Sequence, residues 1–265
     1  MEHTYWVKQT ADQPLFPELQ WSRPENKLHA GKLLIIGGNA QGFAAAADAY
    51  ATTEKAGIGR ARVLLPDALQ KSVGRVLEAG EYTASTPSGS FAKKALADWL
   101  DHSLWSDGVL IAGDLGHNSE TAVLLENYLD KYTGHVTLTR DAITYFTELP
   151  TVVLTRPQTT LVLSMSQLQK LAVSARSTMA FTLGMDLLHL IDNLHELTLR
   201  YEISLITKHL DTILVAVNGQ VSTTKLAAER AVWRLHVASY VSVWLAQNPG
   251  KPFEALTTAV FEAVS

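Results

Sequence analysis

Apolar runs alternate with amphipathic stretches along most of the chain. The runs at 33–36 and 108–112 contain only aliphatic residues and glycine and end at glycine turns, which is typical of strands buried on both faces of a sheet. The same criteria predict further strands at 61–65, 135–139, 151–154, 203–206 and 212–217, and helices at 44–57, 68–78, 91–101, 121–132, 141–147, 164–172, 182–200, 228–247 and 253–264. Strands that alternate with helices predict a mostly parallel sheet covered on both faces.

Two other segments have a different pattern. Residues 80–90 are rich in glycine, serine, threonine and proline and predict a loop, while Asn218-Gly219 predicts a hairpin turn. The first thirty residues combine three prolines with the apolar anchors Trp6, Phe16, Leu19 and Trp21. We therefore expect an N-terminal arm (1–30) that packs on a single domain (31–265).

Composition narrows the classes of function. A chain of 265 residues with 47% hydrophobic content can bury one large core. The net charge of -4 leaves no broad basic surface for nucleic acid, and the absence of cysteine excludes disulfides, thiolate metal sites and cysteine nucleophiles. No segment has the length of a membrane span, and the N-terminus lacks the apolar core of a signal peptide, so we expect a cytoplasmic protein without membrane contact.

The turn after the first strand is the main candidate for ligand binding. It contains Gly37, Gly38, Asn39 and Gly42 and leads into an alanine-rich helix. The first turn of such a helix has unpaired N–H groups and the positive end of the helix dipole, which suit a phosphate. The glycine spacing matches neither the dinucleotide fingerprint nor the P-loop, so a plain turn between strand and helix is the alternative.

The order of the glycine turns resembles the ribokinase-like superfamily, and within it the ADP- or ATP-dependent NAD(P)H-hydrate dehydratases. The resemblance is carried by Gly37–Gly42, by Ala112–Gly116 where that family has Gly-Pro-Gly-Leu-Gly, by Leu138–Ile143, and by Thr207–His209. It implies a three-layer α/β/α sandwich with about eight strands and a nucleotide crevice. The ligands that it implies are ATP or ADP with Mg²⁺, or a nicotinamide cofactor of the NAD(P)H type. The binding residues that we assign from it are Gly37, Gly38, Asn39, Gly42, Gly113, Gly116, Lys208 and Arg234.

The catalytic motifs of that family are altered in this chain. Its His-Pro-Gly-Glu is matched to Arg156–Thr159, which lacks both ionisable members. Its Gly-Ser/Thr-Gly-Asp, which forms an anion hole and supplies the base, falls on Val232–Leu235, where neither the glycines nor the aspartate is present. Loss of a general base alone lowers rates by about 10²- to 10⁴-fold. We therefore expect a protein that keeps the crevice and has lost the family reaction.

Four charged residues have two interpretations each. Asp114 replaces a family glycine and either bridges a metal to phosphate or bonds its own turn. Asp141 is either an acid near the crevice or the N-cap of its helix. Lys208 either meets a phosphate or is solvated. Arg234 either supplies a guanidinium fork for an anion or lies, with Arg230 four residues earlier, on an exposed helix face.

Two further patterns favour structural roles. His189, Asp192, His195 and Glu196 share a helix face, but the leucines between them are typical of an ordinary amphipathic helix, so we assign no metal site. Aromatic residues recur on the penultimate helix and predict core packing or a subunit contact, which favours a homo-oligomer.

Three functional hypotheses remain. The first is a diverged dehydratase-like protein that binds a nucleotide or nicotinamide cofactor without the family reaction. The second is an active dehydratase (a lyase) or small-molecule kinase with Asp141 or Asp114 as a relocated base. The third is a non-catalytic scaffold or interaction subunit.

Overall fold

The computed structural model describes residues 3–10, 12–74, 76–226 and 233–264. In this part of the chain, ten strands and eleven α-helices form an α/β fold. The strands are β1 (Trp6–Gln9), β2 (Lys32–Gly37), β3 (Arg60–Pro66), β4 (Gly80–Thr83), β5 (Gly108–Gly113), β6 (Val136–Thr139), β7 (Thr159–Val162), β8 (Ile203–His209), β9 (Thr212–Val217) and β10 (Gln220–Lys225). The helices are α1 (Pro17–Trp21), α2 (Ala44–Lys55), α3 (Gln70–Val73), α4 (Leu96–Trp105), α5 (Ser119–Lys131), α6 (Asp141–Thr144), α7 (Thr151–Leu154), α8 (Met165–Ser174), α9 (Leu187–Arg200), α10 (Arg234–Gln247) and α11 (Pro252–Val264).

All ten strands belong to one sheet, in the order β1-β10-β9-β8-β7-β6-β5-β2-β3-β4. Every pairing is parallel except those of β9, which runs antiparallel to both β8 and β10. The hairpin predicted at Asn218-Gly219 joins β9 to β10, and both of its residues have positive φ, at 48° and 79°. That pair of angles is what a tight two-residue hairpin turn requires.

Two apolar cores cover the two faces of the sheet and make the molecule a three-layer sandwich. Alternate residues of β2 point to opposite faces, so that Leu34 and Ile36 pack in one core while Leu33 and Ile35 pack in the other. The first core is closed by helices that include α4, α5, α8 and α9, and the second by α2, α10 and α11. The predicted fold class is thereby confirmed.

Several predicted elements were wrong. Residues 151–154 form helix α7 after Pro150, and the strand of this region is β7, eight residues later. Residues 80–83, expected in a loop, form the edge strand β4, and β1 in the N-terminal arm pairs with β10. The sheet therefore has ten strands rather than about eight. Short, partly exposed edge strands have little apolar pattern, so pairing with a neighbour decides them.

The predicted helices keep their order but differ in length. In place of the helix expected at 68–78, the described residues form a 3₁₀ turn at Asp67–Leu69 and the short α3. Helix α9 begins at Leu187, after its N-cap Asp186. Residue 228, where the penultimate helix was expected to begin, lies outside the described residues. Within the described ranges, no helix combines the length and the apolar character that crossing a membrane requires.

Candidate functional site

A cavity of about 820 Å³ opens at the carboxyl ends of the central parallel strands. In open α/β sheets, ligands bind in the crevice at this edge. The turns after β2, β5 and β6 and the first residues of α8 and α10 contribute its walls. The described lining residues are Asn39, Gln41, Gly42, Asp114, Gly116, Arg140, Asp141, Thr144, Gln167, Trp233, Arg234 and Leu235.

The glycines after β2 allow two strand ends to approach each other closely. A side chain at Gly37 would place its Cβ 2.7 Å from the carbonyl oxygen of Gly113, and Gly38 has a φ of 90°. The N–H of Gly38 donates to that same carbonyl oxygen over 3.0 Å. Asn39 then joins the two turns, because its amide Nδ2 donates to the carbonyl of Asp114 over 2.6 Å. These contacts fix the backbone of the cavity floor.

The side chain of Asp114 bonds to two other elements rather than to its own turn. Its Oδ2 accepts the N–H of Ala45 in the first turn of α2 at 2.8 Å, and its Oδ1 accepts Nη2 of Arg140 at 2.7 Å. Asp114 has a φ of 56°, a conformation that L-residues other than asparagine and aspartate seldom adopt. The carboxylate thus lies on the positive end of the α2 dipole, where a phosphate was expected.

Asp141 binds the backbone of the turn after β5. Its Oδ1 accepts the N–H of Asp114 at 2.8 Å, and its Oδ2 accepts the N–H of Leu115 at 2.9 Å. It is not the N-cap of its own helix, because Arg140 occupies that position with a φ of 57°. Both carboxylates of the cavity are therefore engaged by donors of this chain.

Arg234 is the cation of the cavity without an acid partner. Its Nη1 donates to Oε1 of Gln167 over 2.8 Å, and Nε2 of Gln167 donates to the carbonyl of Arg140 over 2.6 Å. Burial lowers the pKa of Arg234, the neighbouring charge of Arg140 lowers it further, and Asp141 acts in the opposite direction. Among the described residues, no carboxylate lies within ion-pair distance of this half-buried guanidinium.

The capping box at the start of α8 fixes the position of Gln167. Ser164 is the N-cap of that helix and accepts the N–H of Gln167, whose Oε1 accepts the N–H of Ser164 in return at 3.1 Å. This capping box fixes the side chain that links the two arginines. The sequence signal for it was Ser-x-x-Gln before an apolar run.

Most of the residues assigned from the sequence meet in this one place. Asn39, Gly42, Asp114, Gly116, Asp141 and Arg234 line the cavity, while Gly37, Gly38 and Gly113 form the turns beneath it. Lys208 lies on β8 and is not part of the described lining. The sequence analysis missed Arg140, Thr144 and Gln167, whereas Gln41 and Trp233 lay inside segments that it had singled out.

The match of the family's His-Pro-Gly-Glu to Arg156–Thr159 was wrong. Because β7 begins at Thr159, these residues precede a strand instead of following one. Arg156 is buried away from the crevice and donates to the carbonyls of Leu129, Tyr132 and Gly134. In this part of the chain, the segment that follows the strand β7 is Ser164–Gln167. Of the second motif, Trp233, Arg234 and Leu235 line the cavity, and Val232 lies outside the described residues.

The remaining candidates take structural positions. His189 bonds to Asp186, His195 stacks on Tyr5 with ring centroids 3.7 Å apart, and Asp192 accepts the Tyr5 hydroxyl at 2.7 Å. In the described residues no three metal-ligating side chains converge. The tryptophans of the penultimate helix, Trp233 and Trp244, are buried within this chain.

Solved structures with the same fold were found, although no protein-family model and no curated protein matches the sequence. A ribokinase-like superfamily protein from Enterococcus faecalis V583 superposes with a TM-score of 0.74 at 16% identity, over 98% of this chain and 87% of that one. An ADP/ATP-dependent NAD(P)H-hydrate dehydratase from Bacillus subtilis, co-crystallised with ATP and Mg²⁺, gives 0.66 at 14% identity, over 95% and 87%.

A phosphomethylpyrimidine kinase from Clostridium difficile 630 is also similar, with a TM-score of 0.53 at 12% identity over 87% of this chain and 99% of that one. Similarity at such low identity establishes the fold and leaves the activity open. The strand order, the two packed helical layers and these superpositions together show that the chain has the ribokinase-like fold.

Proposed function

We propose that the crevice binds a small anionic ligand of the nucleotide or nicotinamide class and does not carry out the dehydratase or kinase reaction. The observation that supports this most is Arg234, a half-buried guanidinium that faces a cavity of about 820 Å³ without an acid partner among the described residues. A buried charge is unfavourable unless an opposite charge compensates it. A phosphate or carboxylate of a ligand would supply that charge.

The arrangement of the aspartates supports the absence of turnover. A general base needs an oxygen lone pair directed at the proton that it removes, and every hydrogen bond that a carboxylate accepts uses one of its about four acceptor sites. Each oxygen of Asp114 and Asp141 already accepts a donor of this chain at 2.7 to 2.9 Å. The solved dehydratase and kinase structures of the same fold favour a nucleotide-class ligand by analogy of fold.

Thermal-shift titration of the whole chain tests the binding. The panel is AMP, nicotinamide mononucleotide, ADP, ATP, NADH and hydrated NADH. A ligand present at a hundred times its Kd stabilises the folded state by about 2.7 kcal/mol, which raises Tm by about 5–10 °C in a protein of this size. We expect at least one member of the panel to do so, and the same mixtures to show no conversion of hydrated NADH and no ATP consumption.

Arg234→Gln provides the site-specific comparison. It keeps a hydrogen-bonding side chain beside Gln167 and removes the charge, so we expect about ten- to hundredfold weaker binding. Arg60→Gln is the matched control, because Arg60 is exposed at the amino end of β3, opposite the crevice. If no ligand of the panel stabilises the wild-type chain, the binding proposal fails. Turnover that Asp141→Asn abolishes would replace it with the enzyme hypothesis.

A further inference from the structure

Polyphosphates need several donors at the carboxyl edge of such a sheet. The donors that a turn between a strand and a helix offers are the backbone N–H groups of the turn and of the first helical residues. In this chain the N–H groups of Asp114 and Leu115 are taken by Asp141, and that of Ala45 is taken by Asp114. Two aspartate carboxylates therefore accept three of the backbone N–H groups that phosphate oxygens could otherwise use.

The charges of the cavity also disfavour a polyphosphate. Its described lining contains two arginines and two aspartates, so their formal charges sum to zero. Arg140 is already paired with Asp114 at 2.7 Å, with their side chains 34% and 22% exposed. Among the described lining residues, Arg234 is then the cation that no carboxylate pairs. A triphosphate would bring its charge close to two fixed carboxylates, and each such approach is repulsive in a partly buried site.

The same hydrogen bonds disfavour a magnesium-bound triphosphate, because the metal would have to share each carboxylate oxygen with a donor of the chain. A carboxylate that bridges Mg²⁺ to phosphate must direct an oxygen at the metal. Oδ1 of Asp114 accepts a guanidinium N–H and Oδ2 accepts a backbone N–H, and both oxygens of Asp141 accept backbone N–H groups. No oxygen of either residue lacks a donor of the chain itself.

We infer that the crevice selects a ligand with a single phosphate or carboxylate group, held by Arg234, and rejects di- and triphosphates because Asp114 and Asp141 occupy their binding positions. This inference rests on the proposed function and narrows its ligand class. Asp114 is the residue that determines the selectivity, since it removes both the Ala45 N–H and the Arg140 guanidinium from the ligand.

Replacement of Asp114 tests the inference directly. Asp114→Gly suits the positive φ of 56° and releases the Ala45 N–H and Arg140 together. Asp114→Asn keeps the side chain's shape, removes only its charge, and serves if the glycine variant does not fold. Asp101→Asn is the matched control for charge, since Asp101 is exposed on α4.

The measurement is the Kd of AMP, nicotinamide mononucleotide, ADP and ATP by isothermal titration calorimetry, with and without Mg²⁺. In the wild-type chain we expect a monophosphate to bind at least about tenfold more tightly than ATP, and Asp114→Gly or Asp114→Asn to bind ATP about ten- to hundredfold more tightly than the wild type does. Asp101→Asn should leave all four values unchanged.

The outcomes separate this inference from the proposed function. If the wild-type chain binds ATP as tightly as AMP, or if neither Asp114 variant improves ATP binding, the selectivity inference is overturned while ligand binding in the crevice stands. If the wild-type chain binds no member of the set, the proposed function fails together with its refinement.

Discussion

Asp141→Asn is the substitution that examines the cavity most directly, because the Asp141 carboxylate joins two strand ends. Its two oxygens accept the N–H groups of Asp114 and Leu115 at 2.8 and 2.9 Å. Asparagine keeps one acceptor oxygen and turns an NH₂ group toward the other N–H. One buried backbone donor is then left without an acceptor, and the remaining bond loses its charge.

The magnitude follows from these two losses. An unsatisfied buried donor costs about 1–3 kcal/mol, and the change from a charge-assisted to a neutral hydrogen bond costs about 1 kcal/mol more. The carboxylate is tightly packed on one side, because a Cβ added at Gly113 would lie only 2.5 Å from Oδ1 of Asp141. We therefore expect the free energy of unfolding to fall by about 2–4 kcal/mol and Tm to fall by about 4–16 °C.

Urea denaturation followed by circular dichroism, together with calorimetry, measures both quantities. Asp101→Asn is again the control, and as an exposed helix substitution it should change stability by less than about 0.5 kcal/mol. A variant Asp141→Asn as stable as the wild type would show that the carboxylate does not hold the turn. If the wild-type chain converted a substrate and Asp141→Asn did not, Asp141 would be a general base and our reasoning about the crevice would be wrong.

Two further predictions concern stability away from the crevice. Burial, assisted by the charge of Arg156, lowers the pKa of His135 from 6.5 to about 4. Below about pH 6.5 the unfolded chain therefore binds a proton at this histidine that the folded chain does not bind. The free energy of unfolding is highest above about pH 6.5 and falls by about 1 kcal/mol per pH unit as the pH decreases toward 4. Urea titrations at pH 7 and pH 5 should show this loss, and an unchanged loss in His135→Gln would assign it to another group. Leu210 is the first residue of the turn between β8 and β9, where it has a φ of 52° and a side chain that is 79% exposed. Leu210→Gly should therefore raise the free energy of unfolding by about 0.5–1 kcal/mol, and a decrease would mean that the leucine side chain makes a stabilising contact.

The sequence by itself determined the central part of this protein. Aliphatic runs such as those of β2 and β5 have only one stable environment, a sheet covered on both faces, and the glycines that end them mark where two strand ends must approach closely. The order of strands and helices then fixed a parallel sheet, and its carboxyl edge fixed where a crevice would lie.

Tertiary structure decided the elements with weak local patterns. The edge strands β1 and β4 exist because a neighbouring strand supplies their hydrogen-bond partners. The β-branched residues predicted as a strand form the helix α7 after a proline, and β7 is the strand of this region in the sheet. Propensity in a four-residue window is too small to decide such cases against packing.

The chemistry of the crevice was also decided only in three dimensions. Asp114 and Asp141 are 27 residues apart. Nothing in either local sequence shows that the Asp141 carboxylate would bind the backbone N–H of Asp114, or that the Asp114 carboxylate would bind the first turn of α2. The same holds for Gln167, which links two arginines that come from distant parts of the chain. The sequence supplied charged groups at the ends of strands. The folded chain determined that Asp114 and Asp141 accept donors of this chain, whereas no carboxylate of the described residues lies within ion-pair distance of Arg234.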